Sequence, residues 1–263
     1  MTWNPDLLRA KLKALAAHLS ISVLLVGIAL WLMLRHWFPA PLFATDGGGV
    51  GLKLLLLVDL VLGPLLTFVV FNPTKARRLM VLDLSVIAVL QLAAYGAGLW
   101  SIHSVRVQAV AFHESVFHSV TAPTYADQTI APQAWQALGP GAPYLVTVRE
   151  PANGEEASGV MAFALTQGLE PYALQFLYQP LTAAPPGGWT LAQLQAQQPM
   201  VAAKAREWLQ SRTGLAADAA RFYRVEGFFD SAVLVLDDQG QWRGGFTADL
   251  PRLSPSSSPS PRS

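Results

Sequence analysis

The sequence predicts a membrane α-helical protein, with three transmembrane helices followed by a small extracytoplasmic α/β (α+β) domain built on a mainly antiparallel sheet. Three observations carry this. Three apolar runs of bilayer-spanning length occupy the first 102 residues. Between Ala14 and Ile102 there are only eight charged side chains other than histidine (Arg35, Asp46, Lys53, Asp59, Lys75, Arg77, Arg78 and Asp83), most of them at predicted helix ends. Beyond Ile102 the hydrophobic pattern changes to short alternating strands and one amphipathic helical stretch, as in an ordinary soluble domain.

The first run follows Arg9, Lys11 and Lys13 and continues from Ala14 through Trp31, Trp37 and Phe38. A signal peptide also begins with basic residues, but its apolar region is short and ends at small residues. This run ends in an aromatic belt, so a retained span over about 14–38 is expected. Residues 39–49, with two prolines and three glycines, read as a short irregular loop. The second run lies within KLLLLVDLVLGPLLTFVVFNPTK, Lys53 to Lys75, giving a span over about 51–71. The third, over about 79–101, starts after the basic turn that holds Lys75, Arg77 and Arg78.

Basic residues in short loops set orientation. The N-terminal segment and the 72–78 turn carry three each, whereas 39–49 carries none. Residues 1–13 are therefore expected in the cytoplasm of a bacterium, 14–102 in the inner membrane, and 103–253 in the periplasm. The Ser/Pro-rich stretch 254–263 offers nothing apolar to bury and is expected to be disordered.

In the outer domain, 105–112 and 144–150 read as strands, 131–138 as a short helix, and 158–169 as helix or strand. Thr190 to Ser211 reads as a helix with Thr190 and Gln193 in capping-box positions, a break at Pro199 and an end at Gly214. Strands follow at 221–229, 232–238 and 241–250, the last two joined by a turn at Asp238-Gln239-Gly240. Phe222, Tyr223, Phe228 and Phe229 are expected to fill the core of this domain, with a partner-binding surface as the alternative.

Charge and composition limit the functions available. Residues 103–263 carry ten Lys/Arg against thirteen Asp/Glu, so nucleic acid is not an expected partner. The chain has no cysteine, which excludes disulfides, thiolate nucleophiles and cysteine zinc sites. His103, His113 and His118, with Glu114, lack the HExxH spacing, and no metal or other cofactor is expected. Gly47 to Gly49 precede an apolar helix without a phosphate-binding pattern. Neither GxSxG nor SxxK occurs, so no enzyme is expected.

The polar residues inside the spans are the candidate site. Asp59 lies near the middle of the second span, where an acid costs roughly 2.5–3.5 kcal/mol on insertion scales and must face protein or trapped water. Gly63 and Pro64 follow one turn later, and Pro64 removes a backbone donor near the Leu60 carbonyl, which kinks or loosens the helix. Gln91 lies about as far beyond the 72–78 turn as Asp59 lies before it, so the two share a depth in a helical hairpin and a hydrogen bond between them is expected. Asp83 and His18, each a turn inside a cytoplasmic helix end, form a second depth-matched pair; Asp83 has Arg77, Arg78 or water as alternatives. Asp46, in the 39–49 loop, is expected to be exposed to the periplasm. Each of these seven residues is a candidate for helix packing or for contact with a client protein.

PLFATDGG, VDLVLGPLLTFVVFNPTK and LDLSVIAVLQLAAYG, in this order and spacing, resemble the type IV pilin accessory proteins of the TfpX/TfpZ family over roughly residues 10–112. The resemblance implies a non-enzymatic inner-membrane accessory protein or chaperone that stabilises a major type IV pilin or promotes its assembly into the pilus. The implied partners are that pilin, membrane lipid and other pilus assembly components. Type IV pilins as a class carry an apolar N-terminal helix with an acid near its start, a client that needs polar accommodation in the bilayer. The alternative is a membrane-anchored sensor or other envelope-assembly protein with a periplasmic ligand-binding domain.

Overall fold

The computed structural model describes residues 5–72, 74–125, 132–139, 141–212 and 214–250; the 254–263 tail lies outside the described residues. The described chain divides into two compact units. The first holds residues 5–39 and 47–106; the second holds 40–46 and 107–250.

The first unit is helical. Helix α1, Pro5–Leu32, passes into a π turn at Met33–Trp37. The second apolar stretch is built from α3, Gly48–Leu56, a π segment at Leu57–Leu62, and α4, Gly63–Val70. Helix α5, Arg77–Ser104, is continuous over 28 residues, about 42 Å at the usual helical rise. All three stretches are long and apolar enough to cross a membrane. Their outward faces carry bare aliphatic side chains, including Leu24, Val69, Val89, Leu90 and Leu92, each at least 60% exposed. Water would penalise such a surface, and lipid would not. The loosening expected at Pro64 takes the form of the π segment just before Gly63: the proline cannot donate to the preceding turn, and a wider turn absorbs the mismatch.

Residues 40–46 differ from expectation. The sequence reads as an irregular loop, but Leu42–Thr45 forms a helical turn, α2, and the whole segment belongs to the second unit. The Trp242 indole donates to the Ala40 carbonyl at 3.2 Å, and Phe229 N–H donates to the Thr45 carbonyl at 2.9 Å. Gly245 lets this segment approach the strand Trp242–Phe246, because a Cβ there would stand 2.5 Å from the Pro41 ring.

The second unit is a seven-stranded sheet with the order β4-β3-β1-β2-β5-β6-β7. Its strands are β1 Val107–His113, β2 Val116–Thr121, β3 Tyr144–Val148, β4 Tyr178–Pro180, β5 Arg221–Glu226, β6 Ser231–Leu236 and β7 Trp242–Phe246. The sheet is mixed rather than mainly antiparallel, since β1 pairs with β3 and β2 with β5 in parallel. Parallel neighbours need crossover connections. That between β1 and β3 carries α6, Pro132–Gln136, and that between β2 and β5 includes α7, Gly154–Gln167, α8, Leu191–Gln197, and α9, Pro199–Gln210.

The stretch 158–169, ambiguous by pattern, is helical through Gln167, with Asn153 capping α7 at Glu156 N–H and Gly168 ending it at φ 65°. The Thr190–Gln193 capping box forms, and Pro199 separates α8 from α9. Strand β6 is buried along its whole length. Its Val233 and Val235, with Phe222 of β5, pack against Leu194, Val201, Ala205 and Trp208 of α8 and α9.

A second cluster, under β1 and β3, contains a tyrosine relay. Tyr178 donates its one hydroxyl proton to the Tyr172 carbonyl, so the Tyr125 hydroxyl donates to Tyr178, both at 2.7 Å. Tyr178→Phe leaves two polar groups without a partner and is expected to destabilise this unit by about 2 kcal/mol. A urea titration of the protein in detergent, followed by aromatic circular dichroism, checks this.

Candidate functional site in the apolar helices

The polar residues of the first unit gather at one place because each helix carries them at a four-residue spacing. His18 and Ser22 share one face of α1; Asp59, Gly63 and Thr67 share one face of the second stretch; Gln91 and Tyr95 share one face of α5. The faces meet around a cavity of about 190 Å³ whose walls include His18, Ser22, Asp59, Gln91 and Tyr95. Ile21 and Leu92, at its edge, are 61% and 60% exposed, so the cavity opens toward the outer surface of the helices.

Asp59 is 4% exposed, and its Oδ2 has no hydrogen-bond partner. The expected bond to Gln91 is not made, although the two line the same cavity. Gly63 explains how Gln91 comes so near: a Cβ at this position would overlap Gln91 Nε2 and lie 2.9 Å from His18 Nε2. Pro64 is buried beside it, where the π segment meets α4. The His18 Nδ1 is 2.7 Å from Thr67 Oγ1, and the Tyr95 hydroxyl donates to the Leu25 carbonyl at 2.7 Å. These bonds fix the ring and the phenol and leave the Asp59 oxygen as an open acceptor.

The pairing of Asp83 with His18 is corrected. Asp83 accepts from the Lys75 ammonium at 2.7 Å across the turn that opens α5, with both side chains partly exposed. His18 instead belongs with Asp59. A shared depth does not decide the partner: Asp83 has a nearer cation in Lys75, and His18 and Asp59 line one cavity. Thr67 and Tyr95 were not among the sequence candidates; their four-residue spacing from Gly63 and Gln91 was the available signal.

Asp46 is also corrected. It is 5% exposed, not open to solvent. Its Oδ1 accepts from Ser119 Oγ at 2.5 Å and from Phe228 N–H at 3.0 Å, and its Oδ2 accepts from Thr45 Oγ1 at 2.7 Å. Burial pushes its carboxyl above the usual range, and the three donors oppose that shift. Asp46 thus serves as an internal tie of the second unit. Phe222 and Tyr223 are buried as expected, but Phe228 and Phe229 are 73% and 62% exposed. Strand β5 ends at Glu226, so the pair lies in the turn that follows it rather than on the sheet.

His118, on β2, stacks on Tyr172 with ring centroids 4.0 Å apart, while His113 ends β1 and lies 4.0 Å from Glu114. Burial, assisted by His113, pushes the His118 imidazole down to about 4. The unfolded chain takes up this proton near the ordinary value of 6.5, so stability is lost as pH falls from about 6.5 toward 4. The loss is expected to be on the order of 2 kcal/mol, discounted for partial exposure. His118→Phe keeps the stack and is expected to flatten this limb of a melting-temperature profile against pH.

Three apolar helices around a polar cavity, joined to a mixed-sheet domain, define a membrane-type protein with a candidate binding site among its helices. Over 95 residues, 36% of its length, the chain is 33% identical to the "Fimbrial assembly protein, serogroups C1 and C2" of Dichelobacter nodosus, covering 72% of that protein. It belongs to the family of these fimbrial assembly proteins. The same identity over 95 residues relates it to the D. nodosus fimbrial assembly proteins of serogroup I and serogroup E1, of whose length it spans 37%. No family model matches the chain, and no solved structure matches it.

Proposed function

We propose that this protein is a non-enzymatic accessory factor of type IV pilus biogenesis, of the TfpX/TfpZ kind, that holds a major pilin in the inner membrane before assembly. The observation that carries this reading is the unpartnered Asp59 carboxylate oxygen in a cavity of the apolar unit, in a chain related to fimbrial assembly proteins. Burying an acceptor without a donor is costly, and the cost is recovered when a client supplies the donor. The acid near the start of a pilin helix is matched to the site: protonated, it donates to Asp59 and accepts from the Gln91 amide. Lipid offers neither.

In this reading the N-terminus is cytoplasmic, and the second unit is periplasmic and meets the pilin head. Deletion of the gene, with the major pilin followed by immunoblot, tests the proposal. Loss of pilin from membranes and from sheared surface fractions supports a holding role. Unchanged pilin in both fractions contradicts any role in pilus biogenesis.

A further inference from the structure

The pair Phe228 and Phe229 is the feature that neither the core of the second unit nor the helical cavity uses. The rings meet edge to face at 4.8 Å and are largely bare, yet the backbone beneath them is held firmly. Phe228 N–H donates to Asp46 Oδ1, Phe229 N–H to the Thr45 carbonyl, and Gly227 N–H to the Asp230 carbonyl. Gly227 is part of the device: a Cβ there would stand 2.5 Å from Thr45 Cβ and 2.8 Å from Asp46 Oδ2. Two adjacent phenylalanines are thus presented on a rigid turn rather than a loose one.

Chain continuity says what covers them. Asp46, which holds Phe228, lies two residues before Gly48, where the second apolar helix begins. Two residues of chain reach at most about 7 Å. The turn is therefore tied, through Asp46, to the stretch of chain that leads into this bilayer-length helix. Three successive spans place the end of α1, the start of α3 and the end of α5 at the same membrane face, and the first and last of these carry Trp37 and the exposed Trp100. Aromatic side chains are enriched at membrane interfaces.

We propose that Phe228 and Phe229 form a lipid anchor, inserting into the interfacial layer of the bilayer that the helices cross. The anchor rests on the reading that those helices span a membrane.

The absence of cysteine gives a direct test. Phe228→Cys and Phe229→Cys are each spin-labelled in the full protein in liposomes, with Glu155→Cys on α7 as a water reference and Val89→Cys on α5 as a lipid reference. Collision with oxygen and with a water-soluble nickel chelate is then measured for each label. The expected result is that labels at 228 and 229 favour oxygen and are shielded from the chelate, while the label at 155 shows the reverse. Labels at 228 and 229 as open to the chelate as that at 155 would overturn the anchor. Shielding that appears only after pilin is added overturns it too, and assigns the pair to a protein partner. If the label at 89 is itself open to the chelate, the spanning reading fails and the anchor fails with it.

Discussion

Asp59→Leu is expected to accumulate in membranes at or above the level of the unaltered protein while failing to support the major pilin. The two halves of this result come from different terms. An aspartate near the middle of a membrane helix costs roughly 2.5–3.5 kcal/mol on insertion, and leucine is favourable there. In this fold Asp59 returns none of that cost through hydrogen bonds at Oδ2. Leucine also fits the aliphatic part of the cavity formed by Leu25 and Leu92. The substitution therefore stabilises the helices and removes the open acceptor. Quantitative immunoblots of both proteins in one membrane preparation check the result. A variant that keeps pilin at its normal level would place Asp59 outside client binding.

Asp46→Ala is expected to cost the second unit about 3 kcal/mol, and Asp46→Asn much less. Alanine removes the acceptor for Ser119, Phe228 and Thr45 together, and the Phe228 N–H has no alternative partner on its rigid turn. Asparagine keeps Oδ1 for Ser119 and Phe228, and its amide can donate to a rotated Thr45 hydroxyl. The pH dependence separates charge from shape. Because burial raises the folded-state value of Asp46, the folded form holds this proton more tightly, and stability from this group declines as pH rises through the folded value. Asp46→Asn is expected to lose that decline. Thermal unfolding of the three proteins in detergent across a pH series reads both effects.

The parts of the fold that were legible in the sequence are those with local causes. The three apolar runs, the Thr190–Gln193 box, the break at Pro199 and the turn at Gly240 each depend on residues within a few positions of one another. The misread parts depend on distant partners. Asp46 looked like a loop residue because its partners Ser119 and Phe228 lie 73 and 182 residues away. Phe228 and Phe229 read as core because aromatic residues on a strand usually are, but β5 ends at Glu226 and the pair falls in the exposed turn before β6. The parallel pairings followed from crossovers that no strand announces by itself. In the helices, the gathering of His18, Asp59 and Gln91 was half legible: depth put Asp59 beside Gln91, whereas the place of His18 depends on how α1 packs against the second stretch, a long-range contact.

In the proposed role, the cavity around Asp59 receives a pilin helix. A photo-crosslinking amino acid at Leu92, exposed on the cavity's edge, tests it most directly in cells that make pilin. The expected result is a pilin adduct that disappears when Asp59→Leu is added. No pilin adduct at Leu92, or an adduct that persists unchanged in the Asp59→Leu protein, would contradict it.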